Sequence, residues 1–215
     1  IDRFGISPDH AIEIAEHVLA AGDWPDQAEA AALFERAGDA AMSRFSWARG
    51  LRFFEAVLAL PGYVESLGLK AQGHLFSRAA RASGVNGARD RSRERHQLAV
   101  RALRETGELE GWGLSLLSWW RTFTNVGEPI PDDGAYEAFA AAAGSDVLDV
   151  RAQLLVHRAE TLCFARDPND IAAGEDARVA AVRSESAETR AYGEVTMGLI
   201  RNRHLEPEPA ITHFL

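Results

Sequence analysis

Few side chains in this sequence have the types and spacing that chemistry requires. Its seven histidines are His10, His17, His74, His96, His157, His204 and His213. None forms the HExxH pattern of a zinc protease. None follows a glutamate at the spacing that di-iron bundles use. No metal site and no cofactor are therefore expected. Cys163 is the single cysteine and shares an apolar helical stripe with Ala159 and Ala152. It reads as a small core residue. A nucleophilic thiol would need a base beside it, and only His157, on another face, is a local candidate. The carboxylate pairs Asp132/Asp133 and Glu206/Glu208 lie in proline-containing linkers or caps. Solubility and helix N-capping explain them. No catalytic residue is expected.

Binding offers more. "WGLSLLSWWRTF" places Trp112, Trp119 and Trp120 on one helix. Trp112 and Trp119 share a face, and Trp120 points about 100° away. Two readings stay open: core contacts on both sides, or an aromatic anchor that grips a partner. "ARDRSRERH" carries Arg89, Arg91, Arg93 and Arg95. Alternate residues wind around a helix, so this reads as a solvated helix start. His74, Arg78 and Arg81 recur at helical spacing and share one face.

The elements that must position these residues all read as helices. The expected spans are 8–22, 26–44, 47–60, 63–83, 88–106, 110–125, 134–143, 146–165, 169–183 and 186–204. A further helix is expected to start at "EPEPA". Glycines and Pro61-Gly62 supply the stops. "NVGEPIPDDG" is the clearest loop. Alternating apolar runs rich in β-branched residues are absent, so no strand is expected.

Composition narrows the class. The 215 residues carry a net charge of −9, which disfavours direct DNA or RNA binding. No run approaches the ~18 apolar residues of a membrane span. A lone cysteine fits a reducing cytoplasm. The chain opens on Ile1 and stops inside an expected helix, so it is read as a piece of a longer protein.

Within "RAGDAAMSRFSWARGLRFFEAVLALPG", small residues recur at Gly38 and Gly50, with Phe54 beyond them. The same offsets join Gly198, Ala210 and Phe214. Glycine costs a helix about 1 kcal/mol relative to alanine. Close approach of two paired helices offsets that cost, and the aromatic fills the space beside the crossing. This pattern resembles the tetratricopeptide repeat of about 34 residues. Phe34 takes its bulky place, Pro61 its terminal proline, and Val57 departs from the usual small residue. Residues 96–108 resemble the second helix of such a unit, about 42 residues after its counterpart. Residues 154–182 resemble another unit, with Ala159 in the small place.

The stretch "AEHVLAAGDW…AALFERAGDAAMSRFSWARGLRFFEAVLAL" resembles the start of the helical region in STAND-class bacterial ATPases. These include LuxR-type transcriptional regulators and adenylyl-cyclase-like signalling proteins. The resemblance is strongest over residues 10–62. The phosphate-loop pattern of the ATPase is absent here.

The expected fold is all-α, with antiparallel helical hairpins stacked into a right-handed tetratricopeptide-like superhelix. A leading helix (1–25) precedes an array over 26–215, with units near 26–62, 63–107, 110–143, 146–183 and 186–215. The resemblance implies that first helices line a concave surface. Candidate binding residues there are Glu35, Asp39 and Met42, then His74, Arg78 and Arg81, with Trp119 and Trp120. An acidic stretch beside a basic one would suit a protein or peptide partner of mixed charge. A small effector is equally admitted. The expected role is a non-catalytic binding scaffold, the sensor or interaction region of a larger regulator. The rival is an all-α ligand-binding or enzymatic bundle with its site between helices. A structural spacer or dimerisation arm is a third reading. Cut ends could also drive self-association.

Overall fold

A computed structural model of the chain describes residues 8–22, 24, 26–125, 128, 130, 131, 134–143 and 147–204. Among these residues all regular structure is helical. The helices are α1 (Pro8–Ala21), α2 (Gln27–Ser43), α3 (Trp47–Leu58), α4 (Tyr63–Ser66), α5 (Leu69–Val85), α6 (Arg89–Thr106), α7 (Leu109–Thr124), α8 (Ala135–Ala143), α9 (Leu148–Ala165), α10 (Asp170–Val182) and α11 (Ala187–Arg203). They form two compact units, Ile1–Thr106 and Gly107–Leu215.

In the first unit, α1 packs on α2, α2 on α3, α3 on α5, and α5 on α6. Asp26 caps α2 by accepting from the backbone N–H groups of Ala28 and Glu29. Phe34, Phe53, Phe54 and Leu75 are fully buried. Trp24 meets Phe34 edge-on at 5.3 Å, and its indole donates to the Val18 carbonyl at 2.7 Å.

The small residues act as the repeat pattern requires. A Cβ on Gly38 would lie 2.8 Å from the Phe54 ring. A Cβ on Gly50 would lie 2.8 Å from Met42 and 3.4 Å from the Gly38 carbonyl oxygen. The second hairpin repeats this register with other residues. Ser92 stands 42 positions after Gly50, and its hydroxyl donates to the Ala80 carbonyl at 2.8 Å. The triple there is Ala80, Ser92 and His96, and a buried histidine stands in the aromatic place. Ala210 and Phe214, expected to repeat the triple after Gly198, lie outside the described residues, as does the helix expected at "EPEPA".

One expected helix is split. Residues 63–83 divide at Leu67 and Gly68, both extended, with ψ of 144° and 151°. Gln72 caps the break by donating to the Leu67 carbonyl at 2.8 Å. The helix that follows runs through Gly84 to Val85, and Gly84 gives Ser92 room: a Cβ there would lie 3.0 Å from its hydroxyl.

In the second unit, α7 packs on α8 and α9, while α9, α10 and α11 pack on one another. Gly113 admits Val150 and Phe139, and Gly174 admits Ile200 and Met197. Two carboxylates lock the ends of α11. Asp149 accepts from the Ser184 hydroxyl and, at 3.1 Å, from the Glu185 N–H. Asp170, fully buried, pairs with Arg203 and, at 3.0 Å, with His204.

The turn after α2 is a Schellman motif with an unusual occupant. Ser46 N–H bonds the Ala41 carbonyl and Phe45 N–H bonds that of Met42. Phe45 takes the left-handed place with φ of 58°, yet is 76% exposed. A left-handed non-glycine residue costs about 1–2 kcal/mol. Replacing Phe45 by glycine is expected to raise stability by about 1 kcal/mol in urea melts. Gly38→Ala is expected to lose about 1–2 kcal/mol, because the ring clash exceeds the helix-propensity gain. Combining it with Phe54→Leu should cost less than the two losses summed, which a double-mutant cycle would measure.

Candidate functional site

The expected binding residues of the first unit come together, but chiefly on one another. Arg78 forms a charge-paired hydrogen bond to Glu35 and a second to Asp39 at 2.7 Å, and its guanidinium lies 5.6 Å from the centroid of the Phe54 ring. The Tyr63 hydroxyl donates to Glu35 at 3.3 Å, and burial followed by the Glu35 charge raises its pKa. Arg78 of the basic stretch thus pairs with both carboxylates of the acidic one within the chain. Met42 packs against the core beside Gly50. Arg81 is exposed, and His74 is half-buried.

The tryptophans belong to the core. Trp119 and Trp120 are each 3% exposed. Trp119 meets Phe123 at 5.9 Å, Trp120 meets Tyr136 at 6.3 Å, and Trp112 meets Phe139 at 5.3 Å. An open aromatic anchor at these positions is corrected to packing on both sides of α7. In the arginine-rich stretch, read as a solvated helix start, Arg89 and Arg91 are exposed, whereas the Arg95 side chain is only 12% exposed. Arg91 and Arg95, one turn apart, both reach Glu55, at 3.0 and 2.7 Å. Burial pushes the Glu55 carboxyl up, and the two guanidinium groups outweigh it and hold it below its usual range.

An open site lies in the second unit. A cleft of about 410 Å³ is lined by Glu160, Cys163, Phe164 and Arg166 from the α9 side and by Thr196, Leu199, Asn202 and Arg203 from α11. The sequence pattern held a signal for it. In the first unit Asp39 and Met42 stand one and four positions after the anchor Gly38. The same steps after Ala159 give Glu160 and Cys163, and after Gly198 they give Leu199 and Asn202. All four line the cleft. Only the anchors were legible; the partner helix that completes the cleft was not.

Behind the cleft sits a polar cluster. Arg121 donates from Nε to His157 Nε2 at 3.1 Å, which leaves the imidazole proton on Nδ1. That nitrogen lies 3.4 Å from Glu160, within electrostatic reach but without a hydrogen bond. Burial, then the Arg121 charge, lowers the His157 pKa to about 4. Tyr192 is hydrogen-bonded to Glu160 and is raised to about 12 by burial and by that contact. Burial raises Glu160 itself, against the pull of Tyr192 and Arg121. Burial also raises the Cys163 thiol, so it stays protonated near neutral pH. His157 therefore faces Arg121, Glu160 and Tyr192, and the thiol is not activated. Thr196 is buried, and its hydroxyl has no partner among the described residues; nor has Arg203 Nε.

No family model and no curated protein sequence matches the chain. Among solved structures, the crystal structure of BtubC (BKLC) from P. vanneervenii superposes with a TM-score of 0.69. The match covers 96% of this chain and 85% of that one at 12% sequence identity. The chain is thus an all-α protein of sequentially paired helices, structurally like a tetratricopeptide-repeat protein. No described helix is long and apolar enough to cross a membrane.

The buried histidines make stability depend on pH. His96 is lowered to about 4 by burial alone, and His157 to about 4 as well, from an ordinary 6.5. Below pH 6.5 the unfolded chain binds protons that the folded chain refuses. Stability is therefore whole above about pH 6.5 and falls as the pH drops toward 4. Each histidine removes up to ~3 kcal/mol across that window. Glu160, shifted upward, works in the opposite sense at the acid end. Urea melts between pH 4 and 8 should show the slope, and His157→Gln should reduce it.

Proposed function

We propose that this chain is a non-catalytic scaffold that binds a protein or peptide, as the interaction region of a larger bacterial signalling or transcription-regulatory ATPase. The fold supports the first part, since stacked helical hairpins present grooves between their first helices. The resemblance of residues 10–62 to STAND-class regulators supports the second.

One observation carries the reading. The cleft between α9 and α11 is lined at the positions that the repeat leaves free once its small residues are used for packing. It combines apolar and polar walls, with Phe164 77% exposed and Leu199 also exposed. The volume of about 410 Å³ also falls within the range of small-molecule sites, so an effector is the second reading.

The test is photocrosslinking in cells. A benzophenone amino acid at position 164 or 202 should give a protein adduct, and one at Ile171 on α10 should not. Leu199→Arg should abolish the position-164 adduct while the melting temperature stays within about 2 °C. Equal adducts at 164 and 171, or none at either, would sink the reading.

A further inference from the structure

Side chains of opposite charge line the two ends of the cleft between α9 and α11. Three contacts show that the two helices run parallel: Gln153 with Thr189 at 3.5 Å, the rings of His157 and Tyr192 at 5.9 Å, and Cys163 with Arg203. Both helices thus present the same end of the cleft together. Toward their N-termini stand Glu160 and Thr196, with Tyr192, His157 and Arg121 behind them. Toward their C-termini stand Arg166, Asn202 and Arg203. Thr196 and Arg203 are seven residues apart on α11, which is ~10 Å of helix.

The first end presents the Glu160 carboxylate to the cleft. His157 is neutral near pH 7 and adds no charge. The Arg121 guanidinium is turned to His157 Nε2; its charge is felt by Glu160, but of the two only Glu160 lines the cleft. The Thr196 hydroxyl is buried without a partner. Burial penalises the Glu160 charge, and an incoming cation would relieve that penalty. The second end offers donors. Arg203 lines the cleft and is held by Asp170, with His204 beside both, and its Nε is buried without a partner. Arg166 is exposed. Between the ends, Leu199 and Phe164 supply apolar wall.

We propose that this cleft takes an extended peptide segment with a basic side chain at the Glu160–Thr196 end and an acidic side chain three residues away at the Arg166–Asn202–Arg203 end. The proposal rests on the scaffold reading and adds the partner's chemistry. A polyproline-II segment repeats every three residues and rises about 3.1 Å per residue, so side chains i and i+3 share one face roughly 9 Å apart. That spacing matches the two ends of the cleft. The lysine stem would lie on Leu199 and Phe164 while its ammonium reaches Glu160.

The probes are three capped peptides: acetyl-Lys-Pro-Pro-Glu-amide, its Lys/Lys counterpart and its Glu/Glu counterpart. Binding is followed by NMR shifts of Thr196, Leu199 and the Asn202 side-chain amide. The mixed peptide should bind at least about fivefold tighter than either like-charged one, the scale of one partly exposed ion pair. Glu160→Gln should shrink its advantage over the Glu/Glu peptide. Arg166→Gln should shrink its advantage over the Lys/Lys peptide. Both variants keep hydrogen-bonding capacity, and unchanged melting temperatures would show that they fold. Equal binding of all three peptides, or shifts away from the cleft, overturns the proposal. If no peptide binds while the position-164 crosslink persists, the polarity falls and the scaffold reading stands. If the mixed peptide binds with the predicted charge dependence but no crosslink forms, the scaffold reading falls instead.

Discussion

Each unit depends on helices meeting where one of them has almost no side chain. Gly38 receives the Phe54 ring, Gly50 receives Met42, and Gly113 receives Val150 and Phe139. Gly174 receives Ile200, and Gly193 the methyl group of Ala181. Every such glycine weakens its own helix in isolation. The loss is offset because a large neighbour fills the space at interior packing density. The contacts also fix rotation: once the small residue faces its neighbour, every other face of the helix is assigned. That is why the steps from Gly38 to Asp39 and Met42 recur from Ala159 to Glu160 and Cys163. The free faces are a by-product of the close approach.

Arginine then ties neighbouring helices together. Arg78 joins α5 to α2, Arg91 and Arg95 join α6 to α3, and Arg203 joins α11 to the start of α10. A planar guanidinium can serve two acceptors at once, as Arg78 does with Glu35 and Asp39, and can also lie against an aromatic ring. Those pairs that stay partly exposed contribute little each to stability. Asp170 differs because it is fully buried, so loss of Arg203 would strand a charge. In the first unit the pairing consumes charges that would otherwise face a partner. In the second unit Arg203 is likewise held by Asp170, while Glu160 and Arg166 line the cleft without an ion pair to each other.

The fold class and most helix boundaries were legible because they follow from local rules. Glycine stops, proline positions and unbroken helical periodicity act within a few residues of where they are read. The break at Leu67–Gly68 was not legible because Gly68 reads no differently from Gly73 and Gly84, which stay helical. The second hairpin hid its repeat because Ser92 and His96 stand where a glycine and a phenylalanine stand in the first. Ser92 still fits, as its hydroxyl bonds the facing backbone instead of avoiding it.

Partner choice was the harder matter. His74, Arg78 and Arg81 share a face by spacing alone, but only the fold brings Arg78 to Glu35 and Asp39, about forty residues away in the chain. Trp119 and Trp120 are large and adjacent in sequence, and only packing decides that both are buried. By itself, then, the sequence determined the all-helical character, the hairpin pattern and the small-residue anchors, because those depend on local periodicity. The tertiary structure alone decided which charges cancel, which aromatics are covered and where a cleft stays open. Those outcomes depend on what the neighbouring helix presents, and no local pattern encodes the neighbour.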